Sequence, residues 1–307
     1  MAEHCPACRS GRSKFQFEAE DYEHGVPGKW RIMKCLDCGL LFQSPMPAPD
    51  QIGSFYPPSY SAYNSNTVIS LLFQFVYWLD ARRVRSLIGD HGRILDVGCG
   101  NGAALLKLRD AGRWELFGLE IDDGAAKKAR EVGLNVQQGE LLGSDLPSGT
   151  FDLIRMGHVI EHVLNPVETL KRAHDLLRPG RVLLGETPNT DSLDYRLFRK
   201  YWGALHVPRH LTFFDNRNLR DALHRAGFAE VRIMPRLRTV GWSAGIQNVL
   251  VDKLGLKVPP SGRVSWYLLL ILPFLPVTFV QALFCRTGTV AFIARKAANS
   301  TGPSEGR

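Results

Sequence analysis

The stretch that decides the fold is GRILDVGCGNGAALLKL, residues 92–108: a short apolar run, a glycine-dense turn, then apolar positions at helical spacing. Gly98, Gly100 and Ala103 satisfy G-x-G-x-x-G/A, and Glu120 lies 20 residues beyond Gly100, closing the next apolar run WELFGLE. Glycines let a backbone approach a ligand closely, and an acid ending the second strand can accept hydrogen bonds from both ribose hydroxyls. Alone, that pattern fits a dinucleotide or any other nucleoside cofactor. Asp96, just before the glycines, and a third glycine at 102 narrow it.

The set of blocks downstream resembles the class I S-adenosylmethionine-dependent methyltransferases. ILDVGCGNG matches their strand-acid-G-x-G-x-G hallmark, and LFGLEIDDGAAKKAR looks like the second strand and its helix. VQQGELL looks like the turn over the adenine. SGTFDLIRMGHVIEHV looks like the fourth strand and the motif after it, and LLRPGRVLLGETPN like the entry to the fifth, with Arg181 where a second glycine is usual. LTFFDNRNLRDALHRAGF looks like the last helix before the sixth strand. The resemblance implies an α/β Rossmann-like domain with a mostly parallel seven-stranded sheet whose last strand is antiparallel. It further implies S-adenosylmethionine bordered by Asp96, Gly98, Gly100 and Gly102, its ribose on Glu120, and its adenine beside Glu140 and Leu141.

Ahead of this domain stand CPAC (Cys5, Cys8) and CLDC (Cys35, Cys38), with 26 residues between the pairs. Two C-x2-C knuckles can deliver four thiolates tetrahedrally to one Zn2+, leaving no open position, so such a zinc is structural. Cys99 and Cys285 stand apart from them. Knuckles followed by FYPPSY also recur before such domains in a methyltransferase subfamily often tied to sugar and polysaccharide metabolism. The N-terminus lacks the apolar core of a secretory signal, which places the bulk of the chain in the cytoplasm and its thiols in the reduced state.

Methyl transfer from a sulfonium requires positioning and water exclusion, and a hydroxyl acceptor adds the need for a general base. Candidates cluster in HVIEHV as His158, Glu161 and His162, able to share one face if a helix starts early. Ubiquinone-pathway O-methyltransferases have a similar acid/His cluster that can hold a divalent metal, with an acid preferred where this chain has His158. Helix capping and hydrogen bonding to the fourth strand is the alternative reading for Glu161 and His162. A second cluster, YWGALHVPRHLTFF, carries His206, Arg209 and His210 between aromatics in a long irregular stretch, 188–215, where they could grip a phosphate or sugar. His210 is the preferred base there.

The net charge of +8 is not spread evenly. Residues 1–230 hold 28 Lys+Arg against 28 Asp+Glu, whereas residues 231–307 hold ten basic residues and two acids, Asp252 and Glu305. The basic excess surrounds an uncharged run of 22 residues, 264–285. That run separates VRIMPRLR (231–238) from TVAFIARK (289–296), which read as the sixth and seventh strands, so it is an insertion at a sheet edge. Spanning once would put two paired strands on opposite sides of a bilayer. The open readings are therefore a bent helical pair in one leaflet, attracted by its basic flanks to an anionic membrane surface, or a lid packed on the domain or a partner. A second apolar stretch, 68–79, followed by DARRVR, reads as a helix capping the cofactor cleft, with a place in the same interface as the alternative.

The expected organisation is a zinc-ribbon-like module at 1–60, a methyltransferase core at 61–240, an apolar and basic insertion at 241–288, the last strand at 289–297 and a disordered tail at 298–307. The expected function is methylation of a small-molecule, sugar or glycan, or lipid-linked acceptor, at oxygen, with the protein attached peripherally to the inner membrane face. Nucleic acid is disfavoured as a partner because the first 230 residues carry no net positive charge. The alternatives are an RNA methyltransferase gripping RNA by its zinc ribbon, or a non-catalytic scaffold.

Overall fold

In the computed structural model, residues 4–56, 79–259, 262, 269 and 271–299 are described. The apolar stretch at 68–78, most of the tail and residues 263–268 and 270 lie outside them. Two sheets organise the chain. The larger has seven strands: β4 (His91–Val97), β5 (Arg113–Glu120), β6 (Asn135–Gln138), β7 (Phe151–Gly157), β8 (Leu177–Pro188), β10 (Glu230–Pro235) and β11 (Thr289–Arg295). Their order is β10-β11-β8-β7-β4-β5-β6. The pairs β4/β5, β4/β7, β5/β6 and β7/β8 are parallel, while β11 runs antiparallel to β8 and β10. That is the expected class I architecture, and the reversal of strand order at β4, with β5 and β6 added on one side and β7 and β8 on the other, creates a switch point at its carboxyl end.

Strands β4, β7 and β8 read as near-continuous apolar runs because helices cover both faces. One face buries Leu105 and Leu108 of α3 (Ala103–Ala111), Ala126 and Ala129 of α4 (Asp123–Glu131), and Ala81, Val84 and Ile88 of α2, the described helical residues 79–88. The other buries Leu170, Ala173 and Leu176 of α5 (Pro166–Leu176) and Leu219, Ala222 and Leu223 of α7 (Asn216–Arg225). Cys5, Cys35, Leu40 and Phe42 join this second core, so the cysteine segment packs on the main domain.

The smaller antiparallel sheet is built from β1 (Ser13–Ala19), β2 (Trp30–Cys35) and β3 (Leu41–Ser44) and takes its fourth strand, β9 (Thr212–Phe213), from far along the chain. Leu41 pairs with Phe213 and Phe42 with Thr212. A third apolar cluster (Ile32, Leu41, Trp202, Leu205, Val207 and Phe213 among it) fills the space beneath this sheet. The stretch 188–215 is therefore not irregular filler: it holds α6 (Leu193–Phe198), a 3-10 turn at Arg199–Tyr201 and β9. Sequence periodicity misses it because two-residue strands carry no pattern.

Between β10 and β11 lie α8 (Val240–Leu254) and α9 (Ile271–Leu283), so the apolar run is an insertion at the sheet edge. No helix among the described residues is long and apolar enough to cross a membrane.

Candidate functional site

The glycine loop leaves β4 with three left-handed residues in alternation: Gly98 (φ 69°), Gly100 (φ 57°) and Gly102 (φ 81°). Two have further steric reasons. A Cβ on Gly98 would lie 2.7 Å from Val159 Cγ2, and one on Gly102 would lie 2.2 Å from Leu134 Cδ1. Gly102 thus lets α4 and the turn after it pack closely against the loop.

Glu120 is buried at the end of β5 with one backbone donor on each oxygen: Gly100 N–H donates to Oε2 at 2.7 Å and Asp122 N–H to Oε1 at 3.0 Å. A carboxylate has about four acceptor sites, so two remain for a vicinal diol. Asp96, also buried, accepts from Arg155 Nη1 at 3.3 Å, and Arg155 reaches Asp80 of α2 at 3.6 Å. Burial pushes the Asp96 carboxyl up from its ordinary range, opposed by Arg155. Glu140 is exposed, while the Leu141 side chain is buried in the main core, which leaves only the backbone of Leu141 to face a ligand.

The second half of the site begins where β7 ends. His158 takes a left-handed conformation (φ 55°), uncommon for a residue with a Cβ. Its Nδ1 lies 3.0 Å from Oε1 of Glu161, and Thr187 Oγ1 at the end of β8 donates to Oε2 at 3.0 Å. No helix starts early here. Residues 158–165 form a turn, and α5 begins only at Pro166. The reason is tertiary: the Glu161 carbonyl accepts from Leu211 N–H at 2.8 Å and Thr212 N–H at 3.2 Å, drawing the segment towards β9. Glu161 consequently caps nothing. It is 1% exposed, yet its carboxyl is held below its ordinary range by the His158 hydrogen bond against the opposing effect of burial, so it stands ionised.

His162 and His210 complete the cluster with ring centroids 4.5 Å apart, edge to face. His162 Nδ1 lies 3.0 Å from the Arg209 carbonyl and 3.0 Å from the Tyr56 hydroxyl, and His210 Nδ1 lies 3.0 Å from the Ala204 carbonyl. A carbonyl only accepts, so each Nδ1 carries the proton and each Nε2 its lone pair. Burial lowers His162 to about 4 and His210 well below the usual imidazole range. Donor atoms of Glu161, His162 and His210 all lie within 4.8 Å of one another, a spacing one divalent cation could bridge.

Arg209 is not available to grip a phosphate. Its side chain is 0% exposed and forks onto Asp21, Nη1 to Oδ2 at 2.9 Å and Nη2 to Oδ1 at 3.0 Å. It also donates to His206 Nε2 at 3.0 Å, while His206 Nδ1 sits 3.2 Å from Glu23. Arg209 thereby ties the N-terminal sheet by its side chain and His162 by its carbonyl. Thr187, Tyr56 and Arg155 were not among the sequence candidates. Thr187, in GETPN at the end of the fifth strand, was the one with a positional signal.

Cys5, Cys8, Cys35 and Cys38 converge without forming disulfides, with Sγ–Sγ distances of 3.6 Å (Cys5 to Cys38) and 3.5 Å (Cys8 to Cys35). Four thiolates about 2.3 Å from a tetrahedral zinc stand about 3.8 Å apart, so the donor set fits.

Residues 73–233 match the family model described as methyltransferase domain. The chain belongs to that family. A probable S-adenosylmethionine-dependent methyltransferase of Mycolicibacterium smegmatis is 32% identical over 98 residues, covering 31% of this chain and 38% of that protein. A ubiquinone biosynthesis O-methyltransferase of Ruegeria pomeroyi is 30% identical over 153 residues, covering 45% of this chain and 60% of that protein. The matches thus span between about a third and two thirds of these relatives' lengths. Among solved structures, an S-adenosylmethionine-dependent methyltransferase from Archaeoglobus fulgidus has a TM-score of 0.50 at 20% identity, covering 73% of this chain and 94% of that one. A [4+2]-cyclase superposes as well, TM-score 0.51 at 17% identity, covering 74% and 81%. That likeness carries the fold alone.

Proposed function

We propose that the protein transfers the methyl group of S-adenosylmethionine to a hydroxyl of a small-molecule, sugar or glycan, or lipid-linked acceptor, with His158 as general base. The observation that carries this reading is the seating of the catalytic turn on the cofactor loop: Val159 fills the space that a side chain at Gly98 would need, placing His158 and Glu161 beside the switch point. S-adenosylmethionine, when bound, supplies a sulfonium-activated methyl carbon. Glu120 holds the ribose, Asp96, Gly98 and Gly100 border the methionine part, and Glu140 lies by the adenine.

The rest belongs to the chain. Glu161 fixes His158 with Nδ1–H towards the carboxylate, leaving Nε2 to take the acceptor proton as oxygen attacks. His158 is the most exposed member of the cluster, its side chain 41% exposed, and the buried carboxylate stabilises the imidazolium that forms. His162 and His210, kept neutral, wall the pocket and exclude water. The oxygen acceptor is supported by the relatives named O-methyltransferases. A structural Zn2+ on the four cysteines secures the N-terminal sheet.

His158→Ala and Glu161→Gln should each lower kcat by about a hundredfold or more while leaving cofactor affinity unchanged. The check is single-turnover transfer of labelled methyl alongside calorimetric titration of S-adenosylmethionine. Unchanged kcat in both variants would remove His158 from the chemistry.

A further inference from the structure

Helix α9 is built inside out. Its buried positions carry its polar side chains, Thr278 (0% exposed) and Gln281 (5%), and its outward positions carry Leu272, Leu275, Phe279, Val280 and Leu283. Phe279 is 57% exposed, Leu283 69% and Phe284, just beyond the helix, 71%. A surface helix in water shows the opposite arrangement. The inner face is fixed by a specific polar network: Trp242 Nε1 donates to Gln281 Oε1 at 3.1 Å, and Gln281 Nε2 donates to Asp194 Oδ1 at 3.1 Å. Trp202 Nε1 holds the other Asp194 oxygen at 2.7 Å, and Phe274 stacks on Trp242 at 5.0 Å. A rotated helix would strand Gln281 and the Asp194 charge, so the apolar outer face is a fixed feature of the fold.

The surroundings of that face carry several basic side chains. At the C-terminal end of α9, Asn216 Nδ2 donates to the Cys285 carbonyl at 2.8 Å, which brings the start of α7, the helix that carries Arg217 and Arg220, to that end. Arg286 follows, 3.8 Å from Asp191, which also receives Arg196 of α6 at 2.9 Å. Arg217, Arg220 and Lys34 line a groove of about 410 Å³ there and make no salt bridge among the described residues. Leu193 (49% exposed) and Leu197 (64%) are further exposed apolar side chains on α6, which packs against α8 as α8 does against α9.

We propose that the outer face of α9 lies in an anionic phospholipid leaflet, with lipid phosphates held by Arg217, Arg220 and Arg286. This deepens the reading of a lipid-linked acceptor by naming the surface that meets the membrane. Thirteen residues of helix extend about 20 Å, short of the roughly 30 Å hydrocarbon core. Paired β10 and β11 at the two ends of the insertion keep it on one side of the bilayer, so the helix lies in the interface plane. Charge argues against a second copy as the occupant: a two-fold contact through this face would set the same arginines against each other, whereas anionic headgroups neutralise them.

The test is co-sedimentation of the full-length protein, without cofactor or acceptor, with vesicles of phosphatidylcholine alone and of phosphatidylcholine mixed with phosphatidylglycerol. Retention of the wild type on the anionic vesicles, weakened by salt, is expected. Phe279→Glu and Leu283→Glu should each cut partitioning roughly tenfold or more. Arg217→Glu with Arg220→Glu should abolish the preference for phosphatidylglycerol. Unchanged S-adenosylmethionine affinity certifies that each variant is folded. Wild type that ignores anionic vesicles, or a dimer in solution that Phe279→Glu converts to monomer, would overturn the proposal. Because no methyl transfer is measured, that failure is distinct from failure of the catalytic reading.

Discussion

Arg209 joins the N-terminal segment to the candidate site through a buried ion pair. Its guanidinium is 0% exposed and its partner Asp21 1%, with two hydrogen bonds of 2.9 and 3.0 Å between them. Asp21 also accepts from the backbone N–H groups of Glu23 and His24 at 3.1 Å each and of Val26 at 3.2 Å. Arg209→Met removes the guanidinium from that carboxylate and, among the described residues, leaves the buried charge on its backbone donors, a loss of about 3–5 kcal/mol. Burial alone raises the Asp21 carboxyl, and Arg209 is what holds it below its ordinary range. The orphaned acid can escape by taking a proton, so the deficit should shrink as pH falls towards 5. The double variant Arg209→Met/Asp21→Leu should recover most of the loss. The assay is urea denaturation followed by tryptophan fluorescence, run as a double-mutant cycle at two pH values. A single-variant cost below about 1 kcal/mol, or a double variant no more stable than the sum of the singles, would refute the reasoning. Because the Arg209 carbonyl also orients His162, the single variant should lose activity as well as stability.

Three further outcomes follow from other parts of the structure. Glu120→Ala should weaken S-adenosylmethionine binding about ten- to a hundredfold by calorimetry, since it removes the proposed ribose acceptor together with the backbone anchor of the glycine loop. Stripping metal with a strong chelator should release about one zinc per chain by colorimetric assay and open the N-terminal segment to protease, because the four cysteines tie the residues ahead of β1 to the end of β2 and the turn after it. Acid should destabilise the fold early. His162 and His210 are depressed when folded, so the unfolded chain binds protons first; their contribution is complete above about 6.5 and is lost for His162 as pH falls towards about 4. Thermal unfolding midpoints across that window check the sign, and a midpoint that rises on acidification would contradict it.

The seven-stranded sheet was legible because its strands are buried runs punctuated by glycine turns in a fixed order, and the cysteine tetrad because thiolate spacing is a short-range signal. The glycine turn after β4 was legible from its three glycines and the acid that closes β5, and Glu120 does bond the backbone of that turn. The convergence of His158, Glu161, His162 and His210 was foreseen as a list but not as a geometry. The expected early helix is replaced by a turn that β9 draws outwards, and β9 is two residues long. Arg209 was misread for a related reason: its partner, Asp21, lies 188 positions away, a separation that no local pattern encodes. Which face of α9 is polar was likewise invisible in a run that hydropathy reads as uniform. Only the buried partners of Gln281 reveal it.

The most direct measurement of the central claim is incubation of the purified protein with methyl-labelled S-adenosylmethionine and a cell extract, followed by counting label in lipid, glycan, small-molecule, RNA and protein fractions. The account predicts label in the lipid, glycan or small-molecule fraction, lost with His158→Ala and retained with a conservative surface variant. Label confined to RNA or protein, or none with any fraction while the cofactor binds, would contradict it.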